Sequence, residues 1–405
     1  MLNEAIHRRI HWVLVIVLAF LLPFCMCQKV RFTGIAIILL ASNMLLSGLW
    51  RKIVWRQLGI YSVSIFALFL LTGIGFLYSE NLKSAGQLLE SRVMLFALPM
   101  IFWVMGYPDK RLFNAILWSV LGGVLVSTLI IFKQGIAPFT NYELNQGCYS
   151  CVMELLIPMH RPYYGLLMVI SIAFCLSQMK QVGLLGKALL IIGILYLGAL
   201  VFLMLPKMVL ISTLIGIVVL IMKLLTNRAS GFAKVLFGGV AVGIVIGILG
   251  AITLITNKEE KSTNTLQSSV VSRKLLWEAA AHSLSDPVTF LVGVGLGDES
   301  DQLTKYIQEN HPNQFEKSLN AHNQYLAEWL KFGLLGLAAT LIIGIYPVYS
   351  GWQNSNNLTL FIAVLWGLNL LTENYLNREA GLLTLGIIIL PMVYLEKSKF
   401  ETTKN

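Results

Sequence analysis

Charge is what this chain has least of. Asp, Glu, Lys and Arg make up 12% of its 405 residues, against roughly 25% in soluble domains. Acidic residues are the scarcer sign, 20 against 30 basic ones. So little charge excludes an ordinary soluble domain. Several chemical signatures are missing as well. There is no H-E-x-x-H for a zinc peptidase, no G-x-S-x-G elbow, and no G-K-[ST] to complete a phosphate loop. Cys148 and Cys151 form a single C-x-x-C with no second pair, which argues against zinc and leaves a disulfide or two free thiols. Cys25, Cys27 and Cys175 fall inside apolar runs and read as packing residues. No metal and no cofactor is expected.

Apolar runs are abundant. Hydrophobic residues reach 57% and mean hydropathy is +0.74. Stretches of about 20 apolar residues, each long enough to cross a bilayer, recur along the chain. The first run follows Arg8 and Arg9 as in a signal peptide, but no small-x-small cleavage site comes after it. It reads as a retained helix. The pattern predicts an all-α polytopic membrane protein forming a single membrane domain, 1–405, with about twelve spans. These fall near 11–27, 33–50, 59–78, 92–106, 112–132, 162–178, 184–205, 207–225, 235–256, 323–349, 357–372 and 380–395.

Basic residues alternate between linkers. Arg51, Lys52 and Arg56, then Lys110 and Arg111, then Lys180 and Lys187, then Lys223, Arg228 and Lys234 mark one face, together with both termini. The positive-inside rule makes that face cytoplasmic and removes any need for a nucleic-acid partner to explain the net charge of +10. The opposite, outer face carries the large segment 257–321 between spans nine and ten, with short amphipathic helices. Leu275, Leu276, Ala279, Ala280 and Leu284 recur there at helical spacing, with Arg273 expected in the helix's first turn. A second helix is expected over roughly 302–310, and the alternating Gly293, Gly295 and Gly297 read as sites of tight backbone packing.

Basic residues close to span ends on this outer face are Arg92, Arg161, Lys207, Arg273 and Arg378. Each alone fits interfacial snorkelling. As a set they suit an anionic ligand, and arginine's planar fork suits phosphate. The inner thirds of the spans are nearly free of ionisable residues, which argues against an ion-coupled transporter.

The stretch "NAHNQYLAEWLKFGLLG", 320–336, places a histidine and amides at the mouth of span ten. His322 is either a helix-end residue or a general base, since an ordinary imidazole titrates near neutrality. If helical, it shares a face with Tyr325 or Leu326 and Trp329. The ordered features resemble the bacterial O-antigen ligase family. His322 and Asn323, nine further residues, Gly333, two residues and Gly336 match the family's ligase motif in full, with Arg273, Trp277 and "GVGLGD" upstream.

The resemblance implies a membrane-embedded glycosyltransferase of lipopolysaccharide biosynthesis. It would move a glycan from an undecaprenyl-pyrophosphate donor to a lipid A-core acceptor hydroxyl, without metal and with inversion. His322 would activate the hydroxyl and Arg273 would grip the pyrophosphate. Arg161, Lys207, Arg92, Asn323 and Arg378 are the candidate substrate-binding residues; Lys207 stands where relatives often carry Arg. Glu373 and Arg378 enter by location alone. A polymerase, or a ligase for a protein hydroxyl, would use the same scaffold. A lipid-linked glycan flippase would need a charged inward cavity that this sequence does not offer.

Overall fold

The computed structural model describes residues 4–28, 32–52, 59–146, 161–204, 206–226, 269–311, 319–354 and 356–395. Within these the chain is helical, without a strand. The long apolar helices are α1 (Glu4–Gln28), α2 (Phe32–Ser47), α3 (Ile60–Leu77), α4 (Leu82–Met105), α5 (Lys110–Gln146), α6 (Arg161–Gln178), α7 (Leu184–Met204) and α8 (Lys207–Thr226). The expected ninth span and the Cys148–Cys151 pair lie outside the described residues. Three short helices follow: α9 (Ser269–Ser283), α10 (Pro287–Leu291) and α11 (Glu299–Asn310). The chain ends in α12 (Gln324–Gln353), α13 (Asn357–Asn369) and α14 (Glu379–Leu395). Among the described residues seven helices are long and apolar enough to cross a membrane, by length and composition.

Contacts sort the connections onto two ends of the bundle. At one end Asp298 accepts from the backbone N–H groups of Glu80 and Asn81, and the Tyr163 hydroxyl donates to Asn374 O. At the other, Arg8 donates to Met105 O, Lys223 donates to Gly351 O, and Tyr107 stacks on Tyr394. Arg8, Lys110 and Lys223 thus stand away from Arg273 and His322, as the alternation of basic linkers requires.

Tenth-span geometry departs from the expectation. A straight helix would separate Tyr325 from Gly344 by about 28 Å at 1.5 Å per residue. In the structure a Cβ on Gly344 would meet the Tyr325 hydroxyl at 2.1 Å. The helix is therefore two limbs, 324–331 and 334–353, folded back on each other across non-helical Phe332 and Gly333. Gly333 has φ 59° and ψ −152°, a region essentially reserved for glycine. Its missing Cβ also admits the Leu291 carbonyl oxygen, which one would meet at 2.1 Å. The motif's other glycine serves the same fold-back, since a Cβ on Gly336 would meet Glu328 O at 2.3 Å. Gly293 closes the turn from the outside: a Cβ there would strike the Lys331 carbonyl at 2.3 Å.

Gly333→Ala should accordingly cost about 1–3 kcal/mol in backbone strain alone, and more once Leu291 must shift. Leu335→Ala, at a side chain 65% exposed two residues on, is the control and should change little. An apparent melting temperature in detergent that is equal for the two variants would contradict this geometry.

The second limb, 334–353, is about 30 Å long and matches a bilayer core. Helix α13, packed beside it with Leu360 against Gly351, has 13 residues and rises only about 20 Å. It does not cross alone, so the expected span 357–372 is corrected to a shorter helix. The segment 370–378 that follows it is largely buried, in a recess walled by Arg92 of α4, Pro162 of α6 and Gln324 of α12.

Candidate functional site

Three side chains meet in that recess. Glu373 sits between the other two: its Oε1 accepts from Arg273 Nη2 at 2.9 Å, and its Oε2 lies 3.5 Å from His322 Nδ1. The second contact is longer than a hydrogen bond, and Nδ1 is buried with no hydrogen-bond partner among the described residues. The Glu373 side chain is 5% exposed while that of His322 is 32% exposed. The ring therefore offers solvent its other edge, the one that carries Nε2.

His322 does not ride on the helix. It is the one non-glycine residue with positive φ among the described residues, 44°, and precedes the cap. The face shared with Tyr325 and Trp329 is thus set aside. Strained backbone of this kind persists only where its surroundings enforce it. Here the His322 N–H donates to Asn320 Oδ1, and Asn323 Oδ1 caps the first limb through the N–H groups of Tyr325 and Leu326. Arg273 and Trp277 lie four apart on one face of α9. The Trp277 indole donates to Ala321 O at 2.9 Å, which ties the arginine's helix to the residue before the histidine. Leu276, Ala279, Ala280 and Leu284 are buried against Leu303, Ile307, Ala321, Ala327 and Leu330, as their spacing predicted, while Leu275 is only half-buried. Arg273 sits one turn inside α9 rather than in its first turn, because the helix begins at Ser269. The second outer helix begins three residues earlier than expected, at Glu299.

Two expected ligand-binding residues are engaged elsewhere. Arg92 is fully buried and pairs both guanidinium nitrogens with Glu328, with Thr72 at 3.2 Å and Asn377 as further acceptors. It cannot reach a substrate without breaking that pair. Asn323 spends its side-chain oxygen on the cap. Arg161 and Lys207 begin α6 and α8 at the same end of the bundle. The start of α6 is bound to the recess, since Tyr375 donates its hydroxyl to Pro162 O and Tyr163 donates to Asn374 O. Lys207 is exposed, and Arg378 is exposed at the end of the 370–378 segment.

A buried charge network underlies the site, and the sequence did not reveal it. Lys331 Nζ lies 2.8 Å from Glu299 Oε2 and 3.2 Å from Glu328 Oε1, so two cations and two anions balance. The network reaches the recess on three sides. Glu299 Oε1 accepts from Ala321 N, while Gln324 Nε2 donates to Glu328 Oε1 and Gln324 Oε1 accepts from Leu376 N. Ala321 and Gln324 flank His322, and Leu376 belongs to the Glu373 segment. Ionisable residues within membrane depth are a functional signal in themselves; Arg92, Glu328 and Lys331 carried it, hidden among ends that allow snorkelling.

Fold and site together define a polytopic, all-helical membrane protein with an Arg–Glu–His cluster recessed at one end. Residues 192–341 match the family model described as O-Antigen ligase, so that region, which holds Lys207, Arg273 and His322, shows the O-antigen ligase family resemblance directly. An uncharacterized protein of Haemophilus influenzae is 26% identical over 190 residues, covering 37% of this chain and 46% of that relative. The match thus spans less than half of the relative's length.

Proposed function

We propose that this protein is an O-antigen ligase, joining a glycan carried on undecaprenyl pyrophosphate to a hydroxyl of a lipid A-core sugar at the periplasmic face of the inner membrane. The observation that carries the reading is Glu373 set between Arg273 and His322. A carboxylate 3.5 Å from one imidazole nitrogen stabilises the imidazolium formed when the other nitrogen takes a proton. Nε2 of His322 accepts the proton of the acceptor hydroxyl. The hydroxyl oxygen bonds to the anomeric carbon as that carbon's bond to the pyrophosphate oxygen breaks, and undecaprenyl pyrophosphate departs with the electron pair. A single displacement inverts the anomeric centre.

Arg273 spends one nitrogen on Glu373 and keeps other N–H donors for the departing phosphate, whose growing charge they stabilise. Arg161, at the start of the adjoining helix, would be the second cation for that group. A lipid-borne donor also fits a cluster that stands at one end of an apolar helical bundle.

Purified protein supplied with lipid-linked glycan and core acceptor should transfer the glycan in EDTA, and the new linkage should have inverted configuration by NMR. Activity lost in EDTA and restored by a divalent ion, or a retained anomeric configuration, would contradict the mechanism.

A further inference from the structure

Beside the Arg273–Glu373–His322 cluster lies a separate cavity of about 440 Å³, within the 300–1,000 Å³ range of small-molecule sites. Its walls come from four parts of the chain: α4, the 296–300 turn, the loop before His322 and the recessed segment. Ser84, Gln87 and Ser91 line it from α4, Asn320 from the loop before His322, and Asn374 and Arg378 from the recessed segment. Hydroxyls, amides, the Arg378 guanidinium and the Glu299 carboxylate alternate with Leu88, Leu296 and Leu319, a mixed lining that suits neither a lipid tail nor a bare pyrophosphate.

One residue of its wall carries an unsatisfied acceptor. Asn374 is 5% exposed, its Nδ2 reaches Glu299 Oε1 at 3.4 Å, and its Oδ1 is buried without a hydrogen-bond partner among the described residues. An unsatisfied buried acceptor costs about 1–3 kcal/mol. A site that leaves one open is completed by a ligand that brings a donor. Gln87 and Arg378 are exposed at the rim and add N–H donors of their own.

We infer that this cavity is a carbohydrate subsite: it holds one sugar unit, whose hydroxyl donates to Asn374 Oδ1 and whose ring and hydroxyl oxygens accept from Gln87 and Arg378. The inference rests on the ligase reading for where the sugar comes from, because Asn374 adjoins Glu373 and Asn320 holds the His322 backbone. Donor glycan and acceptor core both bring this chemistry, and the two sources are separable.

Saturation-transfer NMR on the detergent-solubilised full chain tests it with two probes, free core oligosaccharide and delipidated O-chain. One of them should receive saturation from the wild type, and the probe that does so names the source. Asn374→Leu should weaken that contact about 3- to 10-fold, as one hydrogen bond is lost. Gln87→Trp, at an exposed helix position that tolerates the change, should fill the cavity and weaken binding about tenfold or more. Neither probe contacting the wild type, or equal contact by the wild type and Gln87→Trp, would overturn the subsite. Glycan transfer is measured on the same samples. Contact without transfer would remove the ligase reading and leave the cavity standing; transfer with contact unchanged in Gln87→Trp would do the reverse.

Discussion

His322→Ala should lose on the order of 10²–10⁴ in turnover while donor binding stays close to wild type. The side chain stands outside the capped helix, and among the described residues its ion-pair partner is Glu373. Removing it leaves the Asn323 cap and the Trp277–Ala321 bond in place, so folding should be preserved. Arg273 fails differently. Arg273→Lys keeps the charge but loses the fork that serves Glu373 and phosphate together, so it should be poor in turnover. Arg273→Ala should weaken donor binding as well, since a partly desolvated phosphate leans on each charge-assisted bond. Single-turnover kinetics with the lipid-linked donor separate the two effects. A well-folded His322→Ala protein with normal transfer would return His322 to the role of a helix-end residue.

The second large effect concerns stability. Glu328→Gln leaves Arg92 and Lys331 facing Glu299 alone, a net buried positive charge. Breaking a buried pair from one side costs about 3–5 kcal/mol, which should show as a lower apparent melting temperature and reduced monodisperse yield in detergent. Adding Arg92→Met restores the balance, because Lys331 keeps Glu299 at 2.8 Å. The double variant should therefore recover much of the loss. A double variant as damaged as the sum of the two single ones would mean that the charges do not compensate each other, and the network would lose its place as the support of the recess.

Much of this was legible in the sequence, and the parts that were not share a cause. The amphipathic repeat in α9 read correctly because local periodicity decides it: one face of a short helix meets one partner surface. His322, Arg273 and Trp277 were found by their order, and the structure brings all three to the same place. Glu373 entered by location only, since its bond to Arg273 joins residues 100 apart and no local pattern encodes it. The fold-back of α12 was hidden for another reason. Gly333 and Gly336 sit in a continuous apolar run, where glycine reads as a small residue of a membrane helix, and nothing in hydropathy distinguishes a helix that crosses from one that turns around. The short reach of α13 was masked in the same way, because Leu370 and Leu371 extend the apolar run past the end of the helix. Arg92 shows the limit of counting cations. Its partner Glu328 is 236 residues away, so a committed structural charge looked like a free one.

Motif positions also acquire separate physical meanings. Asn323 caps, Gly333 and Gly336 let the two limbs touch, and only His322 is left with an exposed edge. Three of the four motif residues thus build the turn that presents the fourth.

Disrupting the gene and resolving the cell's lipopolysaccharide by electrophoresis, with lipid-linked glycan quantified alongside, puts the ligase assignment to trial in one experiment. The expected result is core without O-chain, polymeric glycan accumulated on its lipid carrier, and recovery with the wild-type gene but not with His322→Ala. Core bearing a single repeat unit would instead identify a polymerase, and donor trapped on the cytoplasmic side a flippase; either outcome would contradict ligation at the Arg273–Glu373–His322 cluster.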